Sequence, residues 1–97
     1  MPYKLNPNKY FQKKYKKLVA KNSQLNNQIF EVFTKLSADP KDISLKSHKV
    51  NTPKFGDCIS SSINGDLRII WKYNEELDLE IIDLFDIGGH SGKNSVY

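Results

Sequence analysis

The stretch Asn64-Gly65-Asp66-Leu67-Arg68-Ile69-Ile70-Trp71-Lys72-Tyr73 constrains the fold more than any other. It is a turn followed by an alternating strand, and it carries the one arginine of the chain, Arg68. Asn-Gly is a strong short hairpin signal because both residues tolerate positive φ. The strand after it places Leu67, Ile69, Trp71 and Tyr73 on one face and Arg68, Ile70 and Lys72 on the other. The strand before it, from Gly56, has the same period, with Ile59 and Ile63 on one face and Cys58, Ser60 and Ser62 on the other. A hairpin alone is marginal in water, so one of its faces needs cover.

That cover is written upstream in a different period. Phe11, Tyr15, Leu18 and Val19 fall at i, i+4, i+7 and i+8, which is one helical face, with Asn6 or Asn8 available as its cap. Asn22-Ser23 then offers a second cap, and Leu25, Ile29, Val32, Phe33 and Leu36 form another stripe that stops at Asp39-Pro40. The short connection makes the pair an antiparallel helical hairpin. Ahead of it, Tyr3-Lys4-Leu5 reads as a short edge strand closed by Asn6-Pro7. Ile43 to Val50 reads as a loop or short strand, and Asn51-Thr52-Pro53 as a turn. Leu77 to Ile87 is a long strand candidate after a turn at 74–76; its alternation slips near Asp83, which fits a strand buried on both faces or a bulge. The expected fold is α+β over residues 1–97 as a single domain, an N-terminal helical hairpin packed on a small, mainly antiparallel twisted sheet.

A chain of 97 residues holds one hydrophobic core. No apolar run is long enough to span a bilayer and the N-terminus lacks the apolar segment of a secretory signal, so a cytoplasmic protein with no membrane association is expected. The lone Cys58 agrees with a reducing compartment, and with two histidines beside it no metal site is expected. The formal charge of +4 is unevenly spread: residues 1–54 hold twelve lysines against Glu31, Asp39 and Asp42, whereas residues 55–97 hold three basic and eight acidic residues. The basic half suits a polyanion, or is simply a solvated helix face. Gly88-Gly89-His90-Ser91-Gly92-Lys93-Asn94 looks like a phosphate loop but has Ile87 where glycine is needed and Asn94 where serine or threonine is needed, which excludes that reading.

His48, Asp66, Arg68 and His90 offer a phosphate clamp and two groups that titrate near neutrality, the requirements for cutting RNA by its own 2′-hydroxyl. Each has a plainer reading: loop histidines at the surface, turn chemistry for Asp66, and a cross-strand ion pair of Arg68 with Glu80 or Asp86.

The run Asp39-Pro40, Leu45-Lys46-Ser47-His48-Lys49-Val50, Ile63 to Trp71, Asp86-Ile87-Gly88-Gly89-His90 and Val96-Tyr97 resembles the RelE/ParE superfamily of bacterial type II toxins, most closely its RelE/StbE and YafQ-like branch. It departs from that branch at Ser62, where a histidine is usual, and in the interval from His90 to Tyr97, which is seven residues here. The resemblance implies a ribosome-dependent mRNA endonuclease that needs no cofactor and is neutralised by a cognate antitoxin in a hetero-oligomer. It assigns Arg68 to the scissile phosphate, His48 and His90 to proton transfer, Asp66 to orienting one of them, and Tyr97 to a base or the phosphate. On that reading Lys13, Lys14, Lys17, Lys46, Lys49, Lys54, Lys72 and Lys93 contact RNA. Two alternatives stay open: a ParE-like inhibitor of DNA gyrase, which shares the fold without nuclease chemistry, and a catalytically weak binding or regulatory member.

Overall fold

The structure, a computed structural model, describes residues 3–74 and 81–89. The elements run β1 (Lys4–Pro7), α1 (Lys9–Val19), α2 (Ser23–Ala38), a single 3-10 turn (Ile43–Leu45), β2 (His48–Thr52), β3 (Gly56–Ser62), β4 (Leu67–Tyr73) and β5 (Ile81–Gly89). The five strands form one mixed sheet in the order β1-β5-β4-β3-β2, so β1 lies beside the last strand rather than the next one. β1 pairs with β5 in parallel, and the other three pairings are antiparallel. The fold is the expected α+β arrangement of a helical hairpin on a small sheet. The part of the expected last strand before Ile81 lies outside the described residues.

Both helices start where an asparagine can accept from their first free N–H groups. Asn8 Oδ1 accepts from Phe11 N at 2.6 Å and Asn22 Oδ1 from Leu25 N at 3.0 Å. The α2 stripe buries Ile29, Val32 and Leu36, and α1 contributes Phe11. These meet Ile69 and Trp71 of β4 and Ile82, Leu84 and Ile87 of β5 in one cluster. Each such side chain removed from water is worth roughly 1.5–3 kcal/mol, which is what holds two otherwise unstable helices on the sheet. The hairpin is also tied polarly, by Tyr15 donating its hydroxyl proton to Asn26 Oδ1. No helix among the described residues is long and apolar enough to cross a membrane.

The slipped alternation of β5 has a definite cause. Ile70 pairs with Asp86 and Trp71 with Leu84, which leaves Phe85 as an extra residue on β5. This bulge lets Ile82, Leu84 and Ile87 all reach the helical side while Phe85 turns the other way. There it packs with Cys58, Ile70, Val50 and Phe55 in a second, smaller cluster. The sheet face expected to be open to a ligand is therefore partly closed: Ile70 and Ser60 are fully buried.

β1 stops at Pro7, opposite Leu84, and a proline has no N–H with which to continue the ladder. Beyond that point α1 takes over the edge of β5. Asn8 N donates to Leu84 O at 3.0 Å, and Lys14 Nζ lies 2.7 Å from Asp86 Oδ1. The same helix presents Tyr10 to Phe55, which stacks in turn on Phe85, while Lys54 donates to the Tyr10 hydroxyl at 2.7 Å.

Candidate functional site

The turn at Asn64-Gly65 lies where expected, but its geometry is different. Neither residue has positive φ, and β3 and β4 are joined by the four residues 63–66 rather than by a two-residue turn. Asn64 builds the turn with its side chain instead: Oδ1 accepts from Asp66 N and Leu67 N, both at 2.9 Å. Its Nδ2 reaches Gln28 Oε1 of α2 at 3.3 Å, which anchors the loop to the helical layer.

That loop in turn fixes Arg68. Nη1 donates to Asn64 O at 2.8 Å, to Leu67 O at 3.1 Å and to Ser62 Oγ at 3.3 Å. Because these bonds all run through Nη1, the Nε–Nη2 edge of the guanidinium is the part left to meet a planar anion. Asp86, a sequence-level alternative partner for the arginine, is instead committed to Lys14; the other alternative, Glu80, lies outside the described residues. Ser62, at the position where the resembled branch has a histidine, orients the arginine: its hydroxyl donates to Asn64 O at 3.0 Å and accepts from Nη1.

His48 opens β2 and shares the face of Arg68. Directly paired residues of antiparallel strands point to the same side, so the pairings His48 with Ser60 and Arg68 with Ser62, on residues two apart in β3, set both groups on one face. With strands about 4.8 Å apart and about 3.4 Å of rise per residue, their Cα atoms are roughly 12 Å from one another. The His48 ring is exposed and its Nδ1 lies 3.2 Å from Lys46 O. A recess of about 530 Å³ at this strand is lined by Pro40, Ile43, Ser47, His48, Ile59 and Trp71 among others, and Ile43 is 92% exposed.

Asp66 is exposed and lines a different recess, of about 370 Å³, with Asn22, Gln24 and Gln28 at the start of α2. The ring nitrogen Nδ1 of His48 is bonded to a backbone carbonyl rather than to that carboxylate. His90, Tyr97 and Lys93 lie outside the described residues. Of the lysines, Lys13, Lys17, Lys46, Lys49 and Lys72 are exposed, Lys54 is exposed but bonded to Tyr10, and Lys14 is held by Asp86. Lys14 is thus a structural tie.

The lone thiol does not belong to the site. Burial pushes the Cys58 pKa up from its ordinary value of 9.0, against the pull of nearby Lys72, so the neutral thiol packs as an apolar group. Among the described residues no cluster of three or more His, Cys, Asp or Glu side chains is arranged to hold a metal ion. The sequence reading did not single out Ser47 and Ser61. The signal was Trp71 itself, since a buried indole N–H requires an acceptor, and here it donates to Ser61 Oγ at 2.7 Å.

No family model and no curated protein matches the chain. Solved structures do. The E. coli DinJ–YafQ toxin–antitoxin complex is similar at a TM-score of 0.68 and 16% identity, over 93% of this chain and 94% of that one. The archaeal RelE–RelB complex from Pyrococcus horikoshii OT3 gives 0.69 and 17%, over 96% and 100%. The YoeB/ParE toxin from Agrobacterium tumefaciens gives 0.72 and 11%, over 91% and 99%. At these identities the likeness is one of backbone arrangement, and it spans the helical hairpin and the sheet together. The chain has the fold of these YafQ, RelE and YoeB/ParE toxins.

Proposed function

We propose that this protein is the cytoplasmic toxin of a type II toxin–antitoxin pair and cuts messenger RNA on the ribosome. The observation that carries the reading is the placement of Arg68 and His48 on one sheet face, the first with its guanidinium oriented by three bonds and the second with an exposed ring. His48 takes the proton of a ribose 2′-hydroxyl, the 2′-oxygen attacks the adjacent phosphorus, and the bond from phosphorus to the 5′-oxygen breaks. Arg68 binds the phosphate as negative charge builds on its oxygens. The leaving 5′-oxygen takes a proton from an acid, a role that the resemblance gives to His90, and Tyr97 stacks or orients on the same basis. The products are a 2′,3′-cyclic phosphate and a 5′-hydroxyl. The exposed lysines Lys13, Lys17, Lys46, Lys49 and Lys72 supply charge for ribosomal or messenger RNA. Two of the similar structures are complexes with the proteins DinJ and RelB, which supports an antitoxin as partner.

The test is a cell-free translation reaction with message cleavage mapped by primer extension. Wild-type protein should cut within translated codons, and Arg68→Ala or His48→Ala should each lower the rate by roughly 10²–10⁴-fold, the usual range for a proton-transfer or charge-stabilising group. Undiminished cleavage by the Arg68→Ala, His48→Ala double variant sinks the assignment. Intact message with inhibited supercoiling by DNA gyrase would point to the ParE-like activity instead.

A further inference from the structure

Lys46, just ahead of β2, has φ of 50°, and it is the one non-glycine residue with positive φ among the described residues. Lysine disfavours that region, so the surroundings must hold it there. Its N–H donates to Ile43 O, closing the 3-10 turn, and its carbonyl is turned toward His48 Nδ1 at 3.2 Å. A carbonyl oxygen can only accept. The contact is a hydrogen bond when the ring proton sits on Nδ1, the form in which Nε2 keeps the lone pair that a base needs.

Ser47, between these two residues, is held from the other side of the strand. Its Oγ lies 2.6 Å from Ser61 Oγ, and Ser61 is fully buried. Ser61 Oγ accepts the indole N–H of Trp71 at 2.7 Å and shares a hydrogen bond with the Ser47 hydroxyl in which either oxygen can be the donor. Two bonds thus run from an indole in the middle of the sheet to the residue next to His48. Side chains alternate along the strand, so the chain of hydroxyls grips the backbone from the helical side while His48 projects from the opposite one.

We propose that Ser61 and Ser47 are positioning residues, through which Trp71 fixes the turn at Lys46 and so holds His48 as its Nδ1–H tautomer with Nε2 as the basic nitrogen. The kinetic part of this inference rests on the message cleavage proposed above; the tautomer does not. If the hydroxyls served only to satisfy the buried indole, Ser47 would be dispensable, because the bond from Trp71 to Ser61 survives its loss.

The experiment is a long-range ¹H–¹⁵N spectrum of the full-length protein with ¹⁵N-labelled histidine, with His48 told from His90 by a His90→Gln sample. Wild type should show His48 mainly as Nδ1–H; Ser47→Ala should move it toward Nε2–H, the form that free imidazole side chains prefer; and Ser47→Thr, which keeps the hydroxyl, should restore it. In the cleavage assay Ser47→Ala should lose roughly 10- to 100-fold in kcat with KM little changed, as expected for a displaced reacting group. A wild-type His48 that is mainly Nε2–H, or a tautomer ratio unmoved by Ser47→Ala, overturns the proposal. The expected spectra with no cleavage by wild type would refute the nuclease reading and leave the positioning intact. Cleavage that is lost in His48→Ala but unchanged in Ser47→Ala would do the reverse. Ser61→Ala should act in the same direction, and if it fails to fold the two Ser47 variants still decide the question.

Discussion

Replacing Lys14 with methionine isolates the tie between α1 and the end of β5. The pair joins Lys14 Nζ and Asp86 Oδ1 at 2.7 Å, with side-chain exposures of 18% and 6%. Removing one member of a fully buried pair costs about 3–5 kcal/mol, mainly because a charge is left in a poor solvent. Two features reduce that here. Lys14 is partly wet, and Asp86 Oδ1 keeps the bond from Ile87 N at 2.8 Å. A loss of about 2–3 kcal/mol is expected for Lys14→Met on those grounds. For 97 residues the unfolding entropy is roughly 0.2 kcal/mol per kelvin, so the Tm should fall by about 10–15 °C. Circular dichroism melts and urea titrations with unchanged m would measure it. Lys13→Met, on an exposed neighbour, should cost less than about 0.5 kcal/mol, and Asp86→Asn added to Lys14→Met should restore at least about 1 kcal/mol relative to additivity. A Lys14→Met melt within about 3 °C of wild type, or strict additivity in the double variant, would refute the claim that this lysine is structural.

Two glycines should respond in opposite ways. Gly56 sits at φ +69°, so Gly56→Ala is strained and should destabilise by about 1 kcal/mol, whereas Gly65 has no positive φ and nothing within 4 Å of an added Cβ, so Gly65→Ala should be neutral or stabilising by up to about 1 kcal/mol in urea titrations. The reverse order would mean that the hairpin is a primed two-residue turn after all. The buried thiol predicts a pH effect with a definite sign. With its folded pKa raised above 9.0, Cys58 holds its proton in the folded state while the unfolded chain releases it, so its contribution is complete below about pH 9 and is lost as the pH rises toward the folded value. Wild type should therefore lose more stability than Cys58→Ala between pH 7.5 and 9.5 in paired urea titrations, and equal losses would contradict the burial argument.

Much of the architecture was legible because it rests on local chemistry. The stripes ending at Val19 and Leu36 and the caps Asn8 and Asn22 specify the helices from within a few residues. The alternation of β3 and β4, with a turn between them, puts Arg68 and Ser62 on the face opposite Ile69 and Trp71. What was hidden depends on contacts far apart in the chain. Nothing near Lys4 announces a parallel partner at Ile81, and nothing distinguishes Lys14 from its neighbours until Asp86 is brought beside it. The bulge could be inferred only as one of two explanations, because Phe85 suits either side of a strand until Phe55 is seen stacked on it. In the site, Asn64 signalled the turn but not its means, since its amide side chain replaces the positive φ that the dipeptide suggested. The position of Asp66 beside α2 followed from that altered turn and was not readable from spacing.

The pairing of β1 with β5 sets the order in which the molecule can be finished. Lys4 to Pro7 wait for Ile81 to Leu84, a separation of 77 residues, and the same late strand supplies Ile82, Leu84 and Ile87 beneath both helices. A nascent chain that has delivered everything through β4 still has its first strand unpaired, its helices without half their floor and Lys14 without its carboxylate. Contacts of such long range make folding slow and late in synthesis. The face bearing His48 and Arg68 acquires its full backing only once the strand that completes the sheet has been made.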